Sequence, residues 1–218
     1  MPTSRANLPR RARNFFWLGA SVFSAALALR AAESAKPATP AAGHQHTASA
    51  DAGATSGIRR EMIAGLTERD FLKLGAKPKT VRLLVVATWT EDNYGMNFNG
   101  HSKGGALYTV PKGWTVEVTY LNPGPVPHSL IVIEKSAVKK IQVPEPYFKG
   151  AAVPKHTQGM SYEKATFTFT ADEAGEFALA CGFPTHALNG HWIALDIVDD
   201  ATEPTLKLGD KPVMRAAK

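Results

Sequence analysis

A short segment near the end of the chain concentrates residues that can bind a soft metal ion. Cys181 is the only cysteine among 218 residues, and His186 and then His191 follow it at intervals of five. A third histidine, His128, stands 53 residues before Cys181 at the start of an apolar run. One thiolate and two imidazoles are the ligands of a mononuclear electron-transfer copper site, which also has a weak axial ligand. The spacing therefore predicts a copper site of His128, Cys181 and His186, with His191 in the axial position.

The fourth position leaves alternatives open. His191 could bind along the axis or turn away and leave three ligands, and Met96 or Met160 could replace it. An imidazole is a stronger donor than a thioether and stabilises Cu(II) relative to Cu(I). If His191 binds, we expect a lower reduction potential and a colour shifted from blue toward green or red. We also expect the axial bond to be lost in acid, because only neutral imidazole binds a metal and its ordinary pKa is about 6.5.

Alternating side chains predict the strands that hold these ligands. Val116 and Val118 alternate with polar residues, as do Phe167 and Phe169, and a similar run begins at Ile193 after the cysteine segment. Turns rich in glycine and proline separate the runs. A period of two with such turns predicts an all-β fold, an antiparallel β-sandwich.

The N-terminal part differs in composition. Four arginines precede an uncharged apolar run at residues 15–29, which fits a signal-peptide core and is shorter than the roughly 20 residues of a membrane helix. We assign residues 1–30 to a signal peptide or to a retained membrane anchor. A signal peptide would direct export of the protein by the general or the twin-arginine route. The Ala- and Pro-rich residues 31–56 predict a flexible linker.

Three further segments complete the predicted organisation. Residues 57–77 are a short helical lead-in, in which Thr67 and Asp70 form a cap, Phe71 and Leu74 share a face and Gly75 ends the helix. Residues 78–200 form the copper-binding domain, and residues 201–218 form a ragged polar tail.

Charge and cysteine content exclude several classes of protein. The formal charge is +6, of which residues 1–56 carry +4 and the remainder +2. No basic stripe with interleaved aromatic residues occurs, so we predict no binding of nucleic acid. A single cysteine excludes an intrachain disulfide and a binuclear copper centre. A multicopper oxidase is excluded by the short chain, which has its one His-x-His pair in the linker.

Three motifs give the chain a family resemblance. They are Met-Asn-Phe-Asn-Gly at residues 96–100, Pro127 followed by His128, and Cys-Gly-x-Pro-x-His-Ala from residue 181, which runs on to Gly190 and Trp192. Over about residues 78–200 the chain resembles the cupredoxins, and among them the sulfocyanin family of blue copper proteins. The family pattern is Cys-x4-His-x4-Met, from which this chain departs at His191.

The resemblance implies one copper ion, a Greek-key sandwich and electron transfer outside the cytoplasm, with an N-terminal membrane tether in many members. It also implies that Ser129 braces the loop next to the thiolate. Together these features predict an exported, monomeric carrier of single electrons that is not an enzyme. It would act in the periplasm or on the outer face of the cytoplasmic membrane.

Electrons would pass through the edge of His186, which an apolar collar would surround. The collar consists of Pro125, Val126, Pro127, Pro184 and Leu188. It would suit short-lived docking to a redox protein such as a c-type cytochrome or a terminal oxidase. Two alternatives stay open. A copper enzyme with a histidine-rich centre could act on a small nitrogen oxide or peroxide, and a periplasmic copper chaperone would favour methionine-rich sites.

Overall fold

A computed structural model of the protein describes residues 61–218. The strands in this part of the chain are β1 Leu72–Leu74, β2 Thr80–Val86, β3 Ala106–Pro111, β4 Thr115–Asn122, β5 Ile131–Glu134, β6 Glu163–Thr170, β7 Gly175–Ala180, β8 Trp192–Val198, β9 Thr205–Leu208 and β10 Met214–Arg215. Short 3-10 helices occur at Glu68–Asp70, Asp92–Gly95 and Lys135–Lys139. The predicted signal segment and linker lie outside the described residues.

The strands form two sheets, ordered β1-β2-β4-β6 and β10-β9-β3-β8-β7-β5. The all-β sandwich is therefore confirmed. The expectation of a purely antiparallel arrangement is wrong, because β2 pairs with β4 and β3 pairs with β8 in parallel. The physical reason is that β3 lies in the other sheet. The chain crosses from β2 to β3 and back to β4, so β4 runs beside β2 in the same direction.

The inward side chains of both sheets form one apolar core. Val116, Val118 and Tyr120 of β4 are buried in the same cluster as Leu179 of β7 and Leu195 of β8. Full burial of an apolar side chain of this size stabilises the folded state by about 1.5–3 kcal/mol. The core thus fixes the ends of β7 and β8, between which the cysteine segment lies.

The predicted cap after residue 66 is present, since Thr67 N donates to Asp70 Oδ2 at 2.8 Å, but the helix that it was predicted to begin is wrong. Glu68–Asp70 is a single 3-10 turn, and β1 begins at Leu72 and pairs antiparallel with β2, with Leu72 opposite Leu83. Phe71 and Leu72 are buried in the main core. Burial and a ladder of main-chain hydrogen bonds therefore outweigh the weak helical preference of this segment.

The predicted ragged tail is also wrong. β9 pairs antiparallel with β3 and β10 pairs with β9, so these strands extend the six-stranded sheet beyond β3. Leu206 and Leu208 of β9 are fully buried. The segment covers an edge of β3 that would otherwise expose unpaired main-chain groups. Within residues 61–218, no helix has the length and hydropathy to cross a membrane.

Candidate metal centre

The loop between β7 and β8 carries three of the predicted residues. Cys181 follows the last residue of β7, and His191 precedes the first residue of β8. The main chain closes the loop at its base, because Cys181 N donates to His191 O at 2.9 Å and His191 N donates to His186 O at 3.0 Å. Gly190 has φ +93°, and a Cβ atom there would meet the Lys103 side chain at 2.5 Å. The loop is therefore compact and needs glycine at this turn.

His128 enters from the segment between β4 and β5. Its main chain pairs with Met160, with His128 N donating to Met160 O at 3.2 Å and Met160 N donating to His128 O at 2.8 Å. The buried Asn122 side chain braces the same segment, since its Nδ2 donates to Val126 O at 2.8 Å and to Met160 O at 2.6 Å. The segment between β5 and β6, which contains Met160, therefore holds His128 in place.

The four predicted residues come together. His128, Cys181, His186 and His191 each offer one ligand atom, and these atoms all lie within 4.8 Å of one another. The two Nδ1 atoms of His128 and His186 are 3.2 Å apart, and His186 Nδ1 is 3.5 Å from Cys181 Sγ. Three of the side chains are buried, whereas His186 is half-buried. The cluster is thus enclosed and reaches solvent through His186.

Ser129 links the two segments that bear the ligands. Its main-chain N–H donates to Cys181 Sγ at 3.3 Å, and its hydroxyl lies 3.7 Å from the same sulfur. The hydroxyl oxygen also accepts a hydrogen bond from Gly182 N at 2.8 Å. These contacts agree with the bracing role that the family resemblance implied for Ser129.

His191 lies at the bottom of the cluster with 0% of its surface exposed. Its ring stands edge-on to His128, with centroids 4.5 Å apart, and faces Phe98, with centroids 4.2 Å apart. Neither ring nitrogen has a hydrogen-bond partner among the described residues. A buried polar group without a partner costs about 1–3 kcal/mol. An imidazole in this state, beside a thiol and two more imidazoles, fits a copper ligand.

Burial shifts the pKa of every member of the cluster in the direction that favours the neutral form of the side chain. Burial and then the charge of His186 lower the pKa of His128 to about 4, and burial lowers the pKa of His186. Burial, with smaller contributions from the other two imidazoles, lowers the pKa of His191 well below its usual range. Burial raises the pKa of the Cys181 thiol against opposing hydrogen bonds from Ser129 and Phe183. The imidazoles are therefore ready to bind a cation, which would also stabilise the thiolate.

One alternative to His191 and one further histidine of the domain take other positions. His101 lies beside Gly209 and does not belong to the cluster. Met160 meets His128 through its main chain. Sequence reasoning missed the roles of Asn122, which braces the His128 segment, and Phe98, which contacts His191. The motif at residues 96–100 was the available signal for Phe98, but it carried no indication of which residue the ring would contact.

Comparison with known proteins decides the family. The family model described as the sulfocyanin (SoxE) domain matches residues 68–206. A curated sulfocyanin from Sulfolobus acidocaldarius is 30% identical over 135 residues, which cover 58% of this chain and 67% of that protein. This chain belongs to the sulfocyanin family. Sulfocyanins are cupredoxins, which bind one copper ion, and the cluster has the donors to hold it.

Solved structures of other copper proteins resemble this sulfocyanin more distantly. A rusticyanin variant is 20% identical with a TM-score of 0.47, and the match covers 66% of this chain and 94% of that one. An auracyanin from Roseiflexus castenholzii is 20% identical with a TM-score of 0.39, and the match covers 57% of this chain and 99% of that one. At these scores the structural matches add nothing to the family assignment, which rests on the sequence matches.

Proposed function

We propose that this sulfocyanin carries single electrons on one copper ion held by His128, Cys181 and His186, with His191 as the axial ligand. The observation that supports the proposal is the approach of four donor atoms to within 4.8 Å in a largely buried site. Such a donor set, with one soft sulfur and neutral nitrogens, suits both Cu(I) and Cu(II).

The protein's own residues prepare the site for rapid electron transfer. Copper, when bound, supplies a one-electron couple. Ser129 restrains the Cys181 sulfur, and the hydrogen bonds at the base of the loop restrain His186 and His191. Because these contacts are inside the folded sandwich, the ligands have little freedom to rearrange when the charge changes. The half-buried His186, whose Nδ1 faces the cluster, gives the shortest route to the surface.

The enclosure of the cluster favours a carrier over an enzyme. A copper enzyme acting on a nitrogen oxide or peroxide needs a coordination position that its substrate can occupy. Here the fourth position faces the buried His191, packed between Phe98 and His128. We therefore propose that the protein is not an enzyme. A chaperone role has no support in an enclosed site of this kind.

We propose that the apolar collar is the docking surface for a redox partner such as a c-type cytochrome or a terminal oxidase. Pro125, Val126 and Pro127 are exposed, and Leu188 is 47% exposed. Two more exposed side chains, Tyr94 and Ile141, lie on segments that are hydrogen-bonded to the loop between β7 and β8. Tyr94 is next to Asn93, whose Nδ2 donates to Asn189 O, and the main-chain oxygen of Ile141 accepts from Thr185 N. Small apolar surfaces favour the fast release that repeated turnover requires.

We also propose that the protein acts outside the cytoplasm as a monomer. The support for a location outside the cytoplasm is the arginine-flanked apolar run at residues 15–29 together with the family membership. Fractionation of cells that express the full chain tests the location, and sedimentation of the purified protein tests the oligomeric state. Recovery of the protein in the cytoplasmic fraction would overturn export, and a stable dimer would overturn the monomer.

Copper titration of the full chain tests the central proposal. We expect one equivalent to produce an intense visible band from thiolate-to-copper charge transfer and a reversible one-electron couple. Cys181→Ser should abolish the band, whereas His101→Gln, at a partly buried histidine outside the cluster, should leave it unchanged. A wild-type protein that binds no copper, or binds it without the band, would contradict the proposal.

A further inference from the structure

The turn at residues 96–100 forms a wall of the site beside His191. Phe98 is fully buried, and its ring packs on the His191 ring with centroids 4.2 Å apart and planes tilted by 35°. On its other side, Phe98 stands edge-on to Tyr120, with centroids 6.4 Å apart. His191 is therefore confined between Phe98 and His128, which leaves its ring little freedom to rotate.

Buried side-chain hydrogen bonds anchor this turn at both ends. Asn97 Nδ2 donates to the carbonyl oxygens of Thr90 and Asp92, both at 2.8 Å. Asn99 Oδ1 accepts from Val86 N at 2.7 Å, and Asn99 Nδ2 donates to Leu84 O at 2.9 Å. The second pair attaches the turn directly to β2. A wall held in this way can define the position of the group that rests on it.

An imidazole in the axial position must be held in a particular orientation, whereas a methionine need not be. Its ring has two nitrogens, and in the neutral form one carries hydrogen while the other has the free electron pair that binds metal. The nitrogen that points away from the cluster must therefore carry the hydrogen. A thioether has no ring plane, so it needs no such orientation.

We propose that residues 96–100 are a positioning element for His191, in which Phe98 fixes the plane of the imidazole and so keeps one ring nitrogen in the cluster with Cys181. The link to copper rests on the proposed function, but the orientation of the ring is a property of the polypeptide. It can therefore be measured on the protein without metal.

The first test is NMR of the aromatic rings in the full, metal-free chain at neutral pH, in which nuclear Overhauser contacts report the orientation of the His191 ring. We expect one set of His191 ring signals, with contacts to Phe98 and His128 from a single orientation. Phe98→Leu, which removes the ring, and Asn97→Ala, which removes the side-chain bonds that anchor the turn, should each give broadened signals or a second orientation. Phe169→Leu is the matched control, because Phe169 is equally part of the core but packs on Phe148 and Phe167. Two orientations of the His191 ring in the wild type would overturn the proposal.

The second test is a double-mutant cycle on the copper-loaded protein, read by reduction potential and electron paramagnetic resonance. Phe98→Leu should shift both toward the values of His191→Met. The same substitution in the His191→Met background should have a clearly smaller effect, because the thioether has no orientation to lose. Equal shifts in the two backgrounds would show a general effect of the cavity and would overturn the proposal. If Phe98→Leu does not fold, Asn97→Ala enters the cycle in its place.

The two experiments separate the failure of this inference from the failure of the proposed function. If the wild type binds no copper, the proposed function fails, while the NMR measurement still decides whether the turn controls His191. If copper binds with the expected band but the double-mutant cycle is additive, the proposed function stands and the positioning role fails.

Discussion

Replacement of His191 by methionine should stabilise the metal-free protein while weakening its response to copper. In the wild type, both ring nitrogens of His191 are buried without a hydrogen-bond partner among the described residues. The nitrogen that faces the cluster alone costs about 1–3 kcal/mol in the absence of metal. Methionine carries no such group, and its flexible side chain can fill the same apolar space.

After allowance for imperfect packing of the new side chain, we expect the free energy of unfolding of metal-free His191→Met to rise by about 1–2 kcal/mol. For a domain of this size, each kcal/mol moves the melting midpoint by about 2–4 °C, so the midpoint should rise by about 2–8 °C. In the copper-loaded wild type the metal satisfies the nitrogen, and the difference between the two proteins should shrink or reverse.

The assay is thermal unfolding of the full chain, followed by circular dichroism, with chelator and then with one equivalent of copper. His101→Met is the matched control, because His101 is only partly buried and lies outside the cluster. Its free energy of unfolding should change by less than about 0.5 kcal/mol. A metal-free His191→Met protein that melts below the wild type would refute the reasoning, since it would mean that the imidazole is well satisfied without metal.

Three further predictions concern the surroundings of the site. Ser129→Ala removes the hydroxyl that lies 3.7 Å from Cys181 Sγ and accepts a hydrogen bond from Gly182 N. The charge-transfer band should persist but shift, and a spectrum and potential identical to the wild type would contradict a bracing role. Val126→Lys places a charge in the exposed collar. Electron self-exchange measured by NMR line broadening should therefore slow at least tenfold, which corresponds to about 1.4 kcal/mol. Val213→Lys, at an exposed position in the loop between β9 and β10, should leave the self-exchange rate unchanged. A hydrogen bond from Lys73 is the main cause that lowers the pKa of Asp70 to about 2. The carboxylate should therefore contribute stability that is present above about pH 4 and is lost as the pH falls toward 2. Asp70→Asn should remove this part of the acid dependence of the melting midpoint, and a melting midpoint that falls with acid as in the wild type would contradict the prediction.

The amino-acid sequence by itself determined the content of the site. Cys181, His186 and His191 share one short loop between two strands, so their order and spacing already place them near one another. The alternation in β4, β6 and β8 likewise specifies the all-β class, since side-chain direction along a strand repeats every two residues. These features are local, and local patterns can be recognised without knowledge of the rest of the chain.

Only the tertiary structure decided the features that depend on distant partners. Leu72–Leu74 became a strand because β2 was available to pair with it, and Thr205–Leu208 became one because β3 had a free edge. The parallel pairs arose from strands that alternate between the sheets. Likewise, the contact between Phe98 and His191 joins residues 93 positions apart, which no periodicity encodes. The sequence thus specified which groups are available to bind copper, while packing of the two sheets decided which side chains surround the axial imidazole and hold it in place.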